Sequence, residues 1–258
     1  MSVSDPRTSV INERLRRTSR IIAVSSGKGG VGKSMVATAL ALTLAHGGCK
    51  VGLFDLDFTG PSTHIILGAQ KTVLSEEKGI VPPSVCGLEY MSLIYFVGDK
   101  AAPLRGADVS NALIELLSVT QWGTLDFLVI DMPPGIGDAV LDLVRFVKGI
   151  EFLIVTTPSM LAFETVKKQA NLLCELKMPI IGVVENMKMG KANCVQVETQ
   201  KLGLKYLGAI AFDQQVEDAI GEGAKLMSTG VGRGVFEIAE KFVLSGKREK
   251  KRWFALKR

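Results

Sequence analysis

The eight residues Gly27-Lys28-Gly29-Gly30-Val31-Gly32-Lys33-Ser34 limit what this chain can fold into more than any other feature. They follow a short apolar run, residues 21–25, and open an apolar stretch of helical length, residues 34–46. G-x-x-x-x-G-K-S at a strand-to-helix junction is the spacing of a phosphate-binding loop. Glycines allow the loop to turn with its backbone N–H groups pointing inward, where they and the helix N-terminus cradle phosphate oxygens. Lys33 is then expected to reach the β- and γ-phosphates of a nucleotide, and Ser34 to ligate Mg²⁺. Lys28 stands where a phosphate loop tolerates any residue. It is either an exposed lysine or a second cation supplied to phosphates.

The rest of the chain repeats the strand-then-helix rhythm. Residues 51–55, 127–131, 152–156 and 180–185 are short and almost uniformly apolar, as strands buried on both faces of a parallel sheet are. Helical patterns over 138–148 and 159–176 lie between them; 206–209 reads as a late strand and 235–244 as a closing helix. Repeated βα units with right-handed crossovers predict an α/β fold, a doubly wound, mostly parallel sheet with helices on both faces. Residues 68–110 are less regular and read as an excursion on the same domain. The expected organisation is a flexible basic segment at 1–18, one nucleotide-binding domain at 19–246 and a basic tail at 247–258.

Carboxylates stand at two of the strand ends. Asp55 and Asp57 close the run 51–55, in Asp55-Leu56-Asp57, and Asp131 closes 127–131, before Met132-Pro133-Pro134-Gly135. Ligands of open α/β sheets bind in the crevice at these ends. Asp55 and Asp131 are candidate Mg²⁺ ligands with Ser34, directly or through water. One of Asp55 and Asp57 could orient an attacking water. Aspartates at such positions also serve as helix caps or turn formers.

Charge narrows the partners. Of the net +5, residues 247–258 carry about +6 and residues 1–20 about +3, which leaves about −4 for the body. Basic ends of this kind are usually solvated, so neither nucleic acid nor a membrane surface is expected as a partner. Trp253, Phe254 and Leu256 give the tail only a short apolar face. Four scattered cysteines, Cys49, Cys86, Cys174 and Cys194, and a polar start without an apolar signal core fit a reducing cytoplasm.

These motifs, taken together, resemble the Mrp-type ATPases, also called ApbC-type iron–sulfur carriers, within the MinD/ParA class of deviant Walker A proteins. The resemblance is carried in order by SSGKGGVGKS (25–34), DLDFTGPS (55–62), LRG (104–106), WGTLDFLVIDMPPGIGD (122–138), VTTPS (155–159) and GVVENM (182–187). It implies a slow Mg²⁺-dependent ATPase that sandwiches two nucleotides in a homodimer. Lys28 would act in trans on the partner's phosphates, and Lys33 and Asp57 would join it in catalysis, with Asp57 positioning water. Asp131 would be the carboxylate of the second switch. Asn186 would hydrogen-bond the adenine edge, and the chain near Ala211-Phe212-Asp213 would pass close to the base. ATP and Mg²⁺ are the implied ligands, and an iron–sulfur apo-protein or assembly factor the implied partner.

The chain departs from that pattern in one place. The carriers have Cys-x-x-Cys shortly after Glu-Asn-Met; here Cys194 stands alone, with Lys191 and Val197 at the partner positions. Two Cys194 thiolates per dimer fall short of the usual four. Cys194 is a candidate cluster ligand or an ordinary loop residue. Ile136 also replaces a polar residue common in the second switch. The competing readings are a cluster carrier or assembly factor, a MinD/ParA-like switch acting on a protein, DNA or membrane partner, and a small-molecule kinase. Lys28 and the Asp-Met-Pro-Pro-Gly segment disfavour the last.

Overall fold

Strands appear where apolar runs are too short for a helix and have to be covered on both sides. The computed structural model describes residues 5–58, 60–69, 74–97 and 107–243. In chain order the elements are α1 (Arg7–Leu15), β1 (Thr18–Ser25), α2 (Lys33–His46), β2 (Val51–Asp55), α3 (Thr63–Leu67), β3 (Ser75–Glu76), β4 (Ile80–Val81), β5 (Ser84–Val85), β6 (Leu88–Ser92) and α4 (Ile94–Val97). They continue with α5 (Ala107–Val119), β7 (Leu125–Asp131), α6 (Asp138–Phe146), β8 (Ile150–Thr156), α7 (Met160–Glu175), β9 (Ile180–Lys188), α8 (Cys194–Lys201), β10 (Tyr206–Ala211), α9 (Gly223–Ser228) and α10 (Gly230–Val243).

Eight strands form one sheet in the order β10-β9-β8-β1-β7-β2-β6-β5. All neighbours are parallel except the β5–β6 pair. The chain winds outward in both directions from β1, so this is the expected doubly wound α/β architecture. Alternation along the strands feeds two separate apolar layers. Ile21, Ala23, Leu128 and Ile130 face a layer with side chains of α1, α5, α6, α7 and α8. Ile22, Val24, Phe127 and Val129 face another, built with α2, α3, α9 and α10. Helix α2 is buried over most of its circumference, between the sheet and α10, which is why its sequence is apolar all round.

Three expectations change. Residues 7–15, expected within a flexible basic end, form helix α1 against α5 and α6. Ile11 and Leu15 enter the core, and Arg14 donates to the carbonyls of Ser118 and Lys78. The arginines dominate the composition there, but the apolar pair at i and i+4 decides the structure. The stretch 68–110 is more than an excursion, because β6 extends the main sheet in parallel beside β2. Cys194 is the first residue of helix α8 rather than a loop residue. The LRG segment at 104–106, Thr59, Leu244 and the basic tail 247–258 lie outside the described residues.

Among the described residues, no helix is long and apolar enough to cross a membrane. If α1 belongs to the core, Ile11→Ala should cost about 2–4 kcal/mol of stability, the usual loss for a fully buried large-to-small change. Urea unfolding measures this. A loss below about 0.5 kcal/mol, the range of surface substitutions, would mean that α1 is not anchored by this side chain.

Candidate nucleotide site

The sheet order brings the three motif-bearing strands side by side. Val24 of β1 pairs with Asp131 of β7, and Asp55 of β2 pairs with the same Asp131. The phosphate loop and both strand-end carboxylates therefore share one edge of the sheet. Backbone hydrogen bonds tie the three loops together: Met132 N–H to Val24 O at 3.1 Å, Gly135 N–H to Ser26 O at 2.8 Å, and Leu56 N–H to Asp131 O at 2.9 Å.

Two glycines of the loop are there for close approach. Gly32 has φ of 75°, and a Cβ on it would run into the Asn186 amide nitrogen. A Cβ on Gly27 would collide with Thr165 of α7. Asn186 is buried and donates through Nδ2 to Val31 O at 2.9 Å, while its Oδ1 is buried without a hydrogen-bond partner. The end of β9 thus braces the phosphate loop and leaves one acceptor unused.

Lys33 is the centre of the site. Only 6% exposed, it places Nζ 2.5 Å from Asp131 Oδ1, 3.2 Å from Ser34 Oγ and 3.6 Å from Asp57 Oδ2. Asp131 is completely buried, and its Oδ2 has no hydrogen-bond partner. Burial pushes its carboxyl up to about 7; Lys33 opposes the rise and the neighbouring Asp55 adds to it. Asp57 also accepts from Gly60 N–H at 3.2 Å. Lys33, Ser34, Asp57, Gly29, Gly30 and Pro134 line part of a cleft of about 450 Å³. A larger cleft, about 670 Å³, lies beside Arg14, Arg17 and Trp122 and touches none of these groups.

Asp55 does not fit the Mg²⁺-ligand role expected of it. Its Oδ1 accepts from Asp57 N–H at 3.0 Å, and its Oδ2 accepts from Thr63 Oγ1 at 2.6 Å and Thr63 N–H at 3.2 Å. Both oxygens are spent on the chain, and burial raises its pKa, which further favours the neutral form. Ser34 and the unpartnered Asp131 Oδ2 do suit a hard, oxygen-seeking cation. Lys28 is exposed and pairs with no carboxylate among the described residues. Phe212 is half exposed, whereas Asp213 is held by the backbone N–H groups of Gln215 and Gly230. Ile136 and Cys194 are both exposed. Sequence reasoning missed Thr63 and Thr165; a threonine opening a helix just past Asp57 was the available signal for the first.

The family model described as ParA, NUBPL iron-transfer P-loop NTPase, matches residues 17–243. A relative in Arabidopsis thaliana, the chloroplastic Fe-S cluster assembly factor HCF101, is 47% identical over 67% of this chain. That alignment spans only 33% of the plant protein. The iron-sulfur cluster carrier protein of Pyrococcus abyssi is 34% identical over 93% of this chain and 91% of its own length. Among solved structures, a nucleotide-binding protein from Archaeoglobus fulgidus in complex with ADP superposes with a TM-score of 0.72 at 31% identity. The match covers 86% of this chain and 93% of that one.

The raised pKa of Asp131 has a measurable consequence. Between its ordinary 3.8 and about 7, the folded chain holds more of this proton than the unfolded chain does, so its stability falls as pH rises through that window. Without nucleotide, urea unfolding at pH 5 and pH 7.5 should show a larger drop for wild type than for Asp131→Asn. Equal drops would mean that Lys33 keeps the carboxyl ionised throughout.

Proposed function

The chain belongs to the ParA-type family of iron-transfer P-loop NTPases, and on that premise we propose that it binds ATP with Mg²⁺ and hydrolyses it slowly, as a homodimer, in a cycle linked to iron–sulfur cluster assembly or carriage. The observation that carries the nucleotide part is Lys33, buried at the mouth of a glycine-walled cleft with Asp131, Asp57 and Ser34 around its ammonium. The phosphates enter on the backbone N–H groups of Gly29 to Ser34, and their charge draws Lys33 from its carboxylate partner toward the β- and γ-oxygens. Ser34 and Asp131 would hold Mg²⁺, which when bound would supply charge neutralisation to the phosphates. Asp57, beside Lys33 and facing the cleft, orients the attacking water. The unpartnered Oδ1 of Asn186 suits the exocyclic amine of adenine, which supports ATP over GTP.

Exposed Lys28 pairs with no carboxylate among the described residues, which suits it to a second subunit's nucleotide. It would stabilise charge in trans as an arginine finger does. The cluster, as cargo, finds few ligands: among the described residues no three His, Cys, Asp or Glu side chains group to hold a metal. Cys194, at the start of α8, is the cysteine that follows the Glu-Asn-Met segment, so a bridging cluster would receive two thiolates from a dimer. Its remaining ligands would come from outside that pair.

Lys33→Ala should lose nucleotide affinity and hydrolysis together. Lys28→Ala should keep nucleotide binding while phosphate release falls on the order of a hundredfold, the scale for removing one charge-stabilising group. Normal hydrolysis by Lys28→Ala would overturn the trans role. For the cargo, anaerobic reconstitution of wild type and Cys194→Ala, followed by visible absorption and iron counting, should give a chromophore only in wild type. Its absence from both would separate the ATPase from cluster carriage by this chain.

A further inference from the structure

Behind Asp57 runs a buried chain of hydrogen bonds that the chemistry above does not use. Tyr90, fully buried on β6, places its hydroxyl 2.9 Å from Thr63 Oγ1. Thr63, also fully buried, donates that hydroxyl to Asp55 Oδ2 at 2.6 Å and its backbone N–H to the same oxygen at 3.2 Å. The other oxygen of Asp55 accepts Asp57 N–H at 3.0 Å. With the Thr63 hydroxyl donating to Asp55, the Tyr90 hydroxyl can donate to Thr63 in turn. The order is therefore Tyr90 to Thr63 to Asp55, with the Asp57 backbone hanging from the far end.

The two ends of the Asp57 loop, residue 57 and residue 63, are stapled to one carboxylate. Tyr90, Thr63 and Asp55 are absent from the lining of the cleft, whereas Asp57 is part of it. We infer that Tyr90 and Thr63 are positioning residues for hydrolysis, holding Asp57 in register through Asp55 without touching nucleotide. The inference rests on the ATPase reading for its kinetic consequence, but the hydrogen-bond chain itself does not.

The test uses the full chain with Tyr90→Phe, Thr63→Val and Thr63→Ser, each of similar shape to the residue it replaces. Tyr90→Phe and Thr63→Val should lower kcat by about fivefold, the effect of losing one net hydrogen bond, with ATP affinity unchanged. Thr63→Ser, which keeps the hydroxyl, should restore the rate, and the double variant Tyr90→Phe/Thr63→Val should be no slower than Thr63→Val alone. A matching loss of ATP affinity, or additive losses in the double variant, would overturn the inference. Amide hydrogen exchange at Asp57 reads the chain directly, even if wild type does not turn ATP over. Exchange there should be faster in Tyr90→Phe than in wild type without nucleotide, with exchange in the β7 and β8 strands unchanged. Equal exchange at Asp57 in the two proteins would also overturn it. Accelerated exchange together with wild-type kcat would leave the chain real and remove its part in hydrolysis.

Discussion

A lysine ammonium that is nine-tenths buried has to be met by charge, and in this protein that requirement organises the whole site. Lys33 opens helix α2, whose apolar surroundings carry it beneath the sheet's edge, and Asp131 meets it from the neighbouring strand at 2.5 Å. Desolvation of a lone charge there would cost several kcal/mol, so the pair holds only because the loops around it are fixed. Three backbone hydrogen bonds fix them, joining the ends of β1, β7 and β2. The phosphates for which the loop is shaped would offer the same ammonium a stronger partner. Lys33 is therefore held by Asp131 at a place where a phosphate could draw it away.

Crowding two more carboxylates next to that pair creates a like-charge problem, and the fold solves it by dividing their labour. Asp131 answers Lys33 and keeps one oxygen without a partner. Asp55, equally buried, is turned away from the cleft and spends both oxygens on the backbone and hydroxyl of its own loop. Burial raises the pKa of both, and the Lys33 ammonium opposes the rise in each. Asp57 is left at the cleft, with its backbone tied down and its side chain beside Lys33.

Local signals were legible wherever one short-range pattern dominated. The glycine loop, the strand ends at Asp55 and Asp131, and the central strands could be read because apolar runs of that length bounded by such residues have few alternatives. Helix α1 was obscured because its arginines suggest solvation, while only Ile11 and Leu15 report the docking. Strand β6 was obscured because Leu88–Ser92 is short and neither strictly alternating nor uniformly apolar, and its parallel partner β2 lies far away in sequence. Helix α8, which Cys194 opens, was obscured because it has only eight residues and buries just Val195 and Thr199.

The sequence by itself determined the class of fold, the phosphate loop and the edge of the sheet at which chemistry is arranged, because these depend on residue type at short, fixed spacing. It also shows Cys194 without a second cysteine at the spacing that the family resemblance implies, since Lys191 and Val197 stand there. Only the tertiary structure decided what each polar group is free to do. Asp55 and Asp131 are indistinguishable as strand-end aspartates. One becomes a staple and the other the partner of Lys33, because Thr63 and Tyr90 approach the first and Lys33 the second. Burial then makes those assignments binding, since a polar atom withdrawn from water has to take whatever partner the packing brings within reach.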